Sequence, residues 1–432
     1  MVGMMQITTP GTEISAHVES DIQLTSEANV SSSYPSKDKY YFTYGTGYVA
    51  NGTGFDLTGA AVTSDTYVNS YSSLVGKYLP STSGFFNYSD FSSSTAGTMS
   101  TTTGLSSVYY VVSATSTGFI YKQITSNMKI TEALLASAPD DYGTSYYFRG
   151  AVKNNYVEFA NKCWRIVRIT GDGSIKLVLH NDNINNVSNP CSSANNSNEA
   201  AFAHYNGSTY RSLFNNNDDD NAYVGFKYGT TGASDYATTH KNTNKSTILT
   251  NLETWYTNNL ASYESKLADT IWCNDKSVKT GLGYKFKETY YGPFDRIDTT
   301  KVPSLICPND KNGGKLSKFT VNDRTNGNGD LTYKIGLLTV DEIVFSGSIE
   351  YSNDNQNNYS IYLLENTGGA AWWTLSPEYF INSATFVMYT QKGWVGVENL
   401  SNNEGVRPAI SLVSSITISG GTGTSEDPYV VN

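Results

Sequence analysis

Only one segment of this 432-residue chain, "STILTNLETWYTNNLASYESKL" (246–267), makes a convincing helix. Ile248, Leu252, Trp255 and Tyr256, then Leu260, Tyr263 and Leu267, fall at helical spacing. Ser246 or Thr247 can cap its start. Trp255 on this stripe is expected in the core, with ligand contact as the alternative. One such helix cannot bury the core of so long a chain, so strands must supply most of it.

The clearest strand signal is a hairpin. "CWRIVRI" (163–169) and "IKLVL" (175–179) are β-branched and aliphatic runs, and the Asp172-Gly173 pair between them accepts the backbone of a tight turn. Further runs are "TYKIGLLT" (332–339), "SIYLLE" (360–365), "SATFVMYT" (383–390), "GWVGVENL" (393–400), "GVRPAISLV" (405–413) and a terminal strand. Upstream, "YYFTYG", "SSVYYVVSA" and "GFIYKQI" alternate with Gly/Ser/Thr/Asn turns. The expected organisation is a leader or stalk over 1–35, a small β domain over 36–140 and a larger domain over 141–432. Charged residues are only 16%, while Tyr (33) and Gly (37) are abundant. That mixture suits short strands, many turns and a surface of hydroxyls and amides.

The net charge is −10 with no dense Lys/Arg cluster, which argues against nucleic acid as a partner. No stretch approaches 18 apolar residues, so direct membrane insertion is not expected. "MVGMM" lacks a basic start and an apolar core, and reads as the stub of an anchor or signal. Cys163, Cys191, Cys273 and Cys307 form no CxxC and have no His nearby, which argues against zinc. Two disulfides, Cys163–Cys191 and Cys273–Cys307, pair nearest neighbours across irregular loops; four buried thiols are the alternative. "NNNDDDN" (215–221) reads as a solvated loop, since it lacks the alternating ligands and the glutamate of a calcium loop. No cofactor is expected.

In "GGAAWWTLSPEYF" (368–380), adjacent Trp372 and Trp373 must point to opposite faces of a strand, and Pro377 should end its ladder. "STILTNLETWYTNNL", "IGLLTVDEI", "WWTLSP" and "GVRPAISL", in that order, resemble the C-type-lectin-like fold of the formylglycine-generating-enzyme kind over residues 144–413. That group includes gut-bacterial surface proteins and variable proteins diversified by retroelements. The resemblance implies an α+β, mostly β class: a small all-β domain, then a lectin-like domain with irregular sheets, few helices and long loops. It places both tryptophans in the core. A buried Arg407 needs carboxylate or carbonyl acceptors; contact with a substrate is the sharper alternative.

The enzymes of this group oxidise a cysteine with their own C-terminal cysteines, and no cysteine follows Cys307 here. His17, His180, His204 and His240 sit in separate polar segments without a catalytic motif. A binder is therefore expected rather than an enzyme, secreted or displayed at a cell surface, with a protein or glycan ligand. By the resemblance, the stretch 378–404 carries the ligand-contacting positions Tyr379, Asn382, Ser383, Thr385, Tyr389, Gln391, Trp394, Glu398 and Asn402. Ala384, Phe386, Val387 and Val397 are read as structural, and Tyr389 and Trp394 as an exposed pair flanking a hairpin tip. A pilus or surface-structure subunit is the alternative function, and a secreted carbohydrate-active enzyme the third.

Overall fold

A computed structural model describes residues 133–431, apart from 151, 206, 301, 348, 351–360, 383 and 392–393, and before residue 133 only short strands. Among those early strands, Val108–Thr115 pairs with Gly118–Ile124, and Gly3–Thr9 pairs with Thr12–Val18 inside the stretch read as an irregular leader. The leader over 1–35 and the part of the expected 36–140 β domain before residue 133 otherwise lie outside the described residues.

Along the chain run β1 (Ala133–Asp140), β2 (Gly143–Gly150), β3 (Tyr156–Phe159), β4 (Lys162–Ile169) and β5 (Ile175–Asn181). Helix α1 (Thr247–Asn259), β6 (Val278–Gly281), β7 (Thr289–Tyr291) and helix α2 (Val340–Phe345) follow. The last elements are β8 (Trp372–Ile381), β9 (Ala384–Gln391), β10 (Trp394–Asn399), β11 (Ala409–Leu412) and β12 (Tyr429–Val431). The protein is mostly strand, in several irregular sheets with few helices.

One eight-stranded sheet has the order β1–β2–β4–β3–β12, with Ile418–Gly420 at its edge and β5 joining β4 to β11. The boundary expected at 140 falls at the tip of its first hairpin, where Asp140 pairs with Gly143, so this sheet reaches back to Ala133. Every residue of β4 and β5 is buried, because both faces are covered. Trp164 meets Trp255 of α1 edge-on on one side, and its neighbour Arg165 faces Tyr362 and Glu365 on the other. At the β4–β5 turn Gly173 takes φ 85°, which a glycine adopts without strain.

The expected helix forms, with Ser246 Oγ accepting from Leu249 N and Ile248, Leu252, Trp255 and Tyr256 buried. Two expected strands do not form. "TYKIGLLT" makes a single bridge, Gly336 to Ala409, and then enters α2, because Thr339 and Glu342 close a capping box. "SIYLLE" winds into a 3₁₀ turn, Tyr362–Leu364, which offers the Leu363 carbonyl to Arg407.

The second eight-stranded sheet has β8–β9–β10 at its centre, flanked by two-residue strands, with β6–β7 attached to β8. Trp372 and Trp373 are both buried. Trp372 carries the Arg407 guanidinium 4.9 Å above its ring, while Trp373 donates to Ser212 O at 2.7 Å and meets Phe214 edge-on. Pro377 does not end the strand. β8 runs on to Ile381 through register shifts on either side of the Pro377–Val387 pair. Leu375 N turns to Leu338 O at that irregularity, so a residue without an N–H costs no regular ladder bond. Both expected disulfides are present, with Cα separations of 5.0 and 5.6 Å. Among the described residues no helix is long and apolar enough to cross a membrane.

Candidate functional site

Two arrangements are candidates for a site: the outer face of β7–β8–β9, and a charged cleft at the start of α2. On the first, strand parity decides which side chains face out. Thr385 and Val387 of β9 and Glu378 and Phe380 of β8 are buried, whereas Tyr379 and Phe386 are half-buried. Tyr379 is directly opposite Tyr290 of β7 on one side and Phe386 on the other. Ring centroids lie 5.7 Å apart for Tyr290–Tyr379, 4.9 Å for Tyr379–Phe386, 4.8 Å for Tyr290–Phe294 and 6.2 Å for Phe294–Tyr379. Four half-buried rings thus form one continuous row across three strands and the turn after β7.

This corrects two assignments. Thr385 does not face out: its hydroxyl donates to Asp218 O at 2.6 Å and Asp220 O at 2.9 Å, tying β9 to the 215–221 loop. Phe386, read as structural, joins the outer row; only Val387 of the four structural residues is fully buried, while Ala384 and Val397 are half-buried. The "ATFVM" run has apolar side chains at consecutive positions, so alternation alone does not fix its phase.

Of the other expected contact residues, Asn382 is exposed at the β8–β9 turn with φ 51°. Gln391 is half-buried at the end of β9, and Asn402 is exposed. Glu398 is half-buried and accepts from Asn402 Nδ2 at 2.6 Å and Asn399 N at 2.9 Å. Ser383 and the side chains of Tyr389 and Trp394 lie outside the described residues, and with them the exposed pair expected at the β9–β10 tip.

Beneath the aromatic row sits Glu378, 2% exposed, with one oxygen that has no hydrogen-bond partner among the described residues. Burial pushes its carboxyl well above the usual range, and Asp298 adds to the shift. Burial, with Glu378, Tyr290 and Asp298 nearby, pushes the Tyr379 phenol up to about 12. No sequence spacing marks Glu378 and Asp298 as neighbours, because they are 80 positions apart in the chain.

The charged cleft gathers residues from six separate segments. Arg168 binds Asp140 at 2.7 Å and Glu342 at 2.9 Å, Lys176 binds Glu342 at 2.6 Å, and Arg296 binds Asp275 at 2.7 Å and Asp341 at 2.8 Å. Cys273–Cys307 forms part of the wall. Burial alone would raise Glu342, but Lys176 and Arg168 outweigh it and hold the carboxyl at about 2. Burial lowers Lys176 to about 8 despite Glu342. The cleft leaves about 20 Å³, space for about one water, and its charged groups are already paired. It is a fastening of the fold. Arg407 is fastened likewise: buried, it donates Nε to Leu179 O at 2.8 Å and Nη1 to Leu363 O at 2.5 Å. Those are carbonyl acceptors, one of the two kinds expected. Asp220 of the "NNNDDDN" run is also structural, accepting from Ala222 N and Gly232 N. Among the described residues no group of three or more His, Cys, Asp or Glu could hold a metal ion.

No curated protein and no solved structure matches the chain. A family match does exist, running from β5 to just past β11 and so taking in α1, the aromatic row and the charged cleft apart from Asp140 and Arg168. Residues 176–414, more than half of the chain, match the family described as a domain of unknown function (DUF6273), and the chain belongs to that family.

Proposed function

We propose that this chain is a recognition protein rather than an enzyme, secreted or displayed at a cell surface, and that it binds a protein or glycan partner through the outer face of β7–β9. The row Tyr290–Tyr379–Phe386, widened by Phe294, carries the reading. Tyr and Phe rings held by strand pairing present large contact area at low entropic cost. Asn382, Gln391, Glu398 and Asn402 supply a polar rim, and variation between strains at these positions belongs to the same reading.

The lectin-like assignment of residues 144–413 is part of the proposal. It is supported by the meeting of two distant motif segments, with Arg407 of "GVRP" lying on Trp372 of "WWTLSP". It is supported also by β12 returning to pair with β3 near the start of the domain. Binding in place of cysteine oxidation is favoured because all four cysteines are in disulfides, which leaves no thiolate to react. The same disulfides favour an oxidising compartment.

The test is a glycan array and a surface-protein binding screen with the full chain, Tyr379→Ala and Tyr290→Ala. Each variant should melt within a few degrees of wild type yet bind at least about 30-fold more weakly, the effect of losing a central hot spot. Variants that bind a wild-type partner undiminished would overturn the assignment of this face.

A further inference from the structure

About a third of the chain's basic residues lie in one segment. Residues 276–324 hold 10 Lys/Arg and 5 Asp/Glu, a net of +5, so the rest of this −10 chain carries −15. At the end of this segment lies a surface groove of about 240 Å³, bounded by Lys315, Lys318, Arg324, Thr325 and Asn326, with Asp141 as its one carboxylate. Asp141 is already engaged, binding Lys318 Nζ at 2.9 Å and accepting from Cys307 N at 2.8 Å. Lys315 is exposed and forms no ion pair among the described residues. Arg324 donates to two carbonyls, Asn328 O at 3.0 Å and Gly329 O at 3.2 Å. A guanidinium has five N–H donors, so three of them remain for a ligand.

Both walls are held in advance. Asp310 accepts from the backbone of Asn312 (2.7 Å), Gly314 (3.1 Å) and Leu316 (3.0 Å), which fixes the loop that carries Lys315. Asp269 accepts from Val321 (2.7 Å), Asn322 (2.6 Å) and Asp323 (2.9 Å), which fixes the loop that carries Arg324. Ile271 and Lys318 also line the groove, and Lys318 is held by the pairing of Lys318–Phe319 with Trp272–Cys273. Two loops, each clamped by its own carboxylate and each presenting a cation, make a preorganised site.

We propose that this groove binds one acidic sugar unit, a hydroxylated ring bearing a carboxylate or sulfate, with Arg324 and Lys315 on the anion and Thr325 and Asn326 on the ring hydroxyls. The groove is smaller than the roughly 300–1,000 Å³ of drug-sized sites, which suits a single ring. No aromatic side chain lines it, so it lacks the stacking platform of a single-stranded nucleic-acid site. The charge of −15 elsewhere repels a long phosphate backbone. The site is separate from the β7–β9 face and does not depend on it.

The test is calorimetric titration of the full chain with trigalacturonate, a sulfated galactose trisaccharide, neutral galactotriose, inorganic sulfate and a 20-base-pair DNA duplex. At least one acidic trisaccharide should bind, and more weakly as salt rises. Lys315→Gln/Arg324→Gln should lower that affinity at least about tenfold, Arg324→Lys should keep part of it, and Tyr379→Ala should leave it unchanged. The proposal is overturned if neither acidic trisaccharide binds, if neutral galactotriose or inorganic sulfate binds equally well, if the duplex binds more tightly, or if the double variant stays within twofold of wild type. Loss of binding in Tyr379→Ala would also overturn it, by moving the acidic ligand to the β7–β9 face.

Discussion

Glu342→Gln should be among the most damaging single-atom changes in the chain. The Glu342 carboxylate accepts from Lys176 Nζ at 2.6 Å, Arg168 Nε at 2.9 Å and Thr339 N at 3.0 Å, and all these side chains are buried or nearly so. Glutamine keeps a carbonyl for the Thr339 amide, so the helix cap survives. It loses the charge that two buried cations require. Arg168 retains Asp140, but Lys176 has no other carboxylate within ion-pair distance among the described residues. Breaking a buried pair from one side costs about 3–5 kcal/mol. The pH dependence has a definite sign. The folded carboxyl titrates at about 2, below its ordinary 4.5, so its stabilisation is complete above pH 4.5 and is lost as pH falls toward 2. Urea unfolding followed by tryptophan fluorescence should therefore show a wide gap between wild type and Glu342→Gln at pH 6.5 and a much narrower one at pH 3. Glu342→Gln/Lys176→Met should recover most of the loss, because removing both charges leaves none stranded. A single-variant loss under about 1 kcal/mol, or a double variant no better than the single, would refute the stranded-charge argument.

Each disulfide closes a loop, with sequence separations of 28 and 34, and removing either should cost about 3–4 kcal/mol; unfolding of Cys163→Ser and Cys273→Ser beside the reduced wild type measures it. Trp372→Ala and Trp373→Ala should each destabilise by about 3–5 kcal/mol, and a variant with an unchanged melting temperature would remove that tryptophan from the core. Glu378 has a raised folded pKa, so wild-type stability should fall as pH rises from 4.5 through that value; Glu378→Gln should remove this slope and be relatively more stable at pH 8 than at pH 4, and a difference independent of pH would contradict it.

Local signals were legible in the sequence; long-range ones were not. The stripe in 246–267, the Asp172-Gly173 hairpin and the cysteine pairs each need only neighbours in the chain, and each forms. The 332–339 run fails as a strand because Thr339 and Glu342, three apart, close a box that also anchors Lys176, 166 positions away. Pro377 fails as a stop because Leu338 supplies the acceptor that makes a bulge tolerable. The aromatic row was half visible. Tyr379 was singled out, but Tyr290 and Phe294 come from a segment about 90 residues earlier, and only strand pairing brings them together. No spacing rule could add them, and none could fix the phase of Thr385 and Phe386.

Many of the carboxylates in this low-charge chain are engaged within the fold. With few helices and many two-residue strands, regular ladders satisfy only part of the backbone, and the remaining amides of long loops still need acceptors. Asp220, Asp269, Asp310 and Asp323 each take two or three backbone N–H groups, and Asp182 takes the amide of His204 and the indole of Trp255. Asp140, Asp275, Asp341 and Glu342 take backbone N–H groups too and in addition bind the buried cations Arg168, Lys176 and Arg296. Carboxylates turned inward leave the surface to Tyr, Asn, Thr and Ser. They also tie loop backbones to fixed acceptors within the fold. A loop ordered in advance loses less entropy on binding than one ordered by its ligand. The same substitution, of side-chain clamps for regular ladders, thus goes with the irregular sheets, and under the proposed binding role it would lower the entropic cost of engaging a partner.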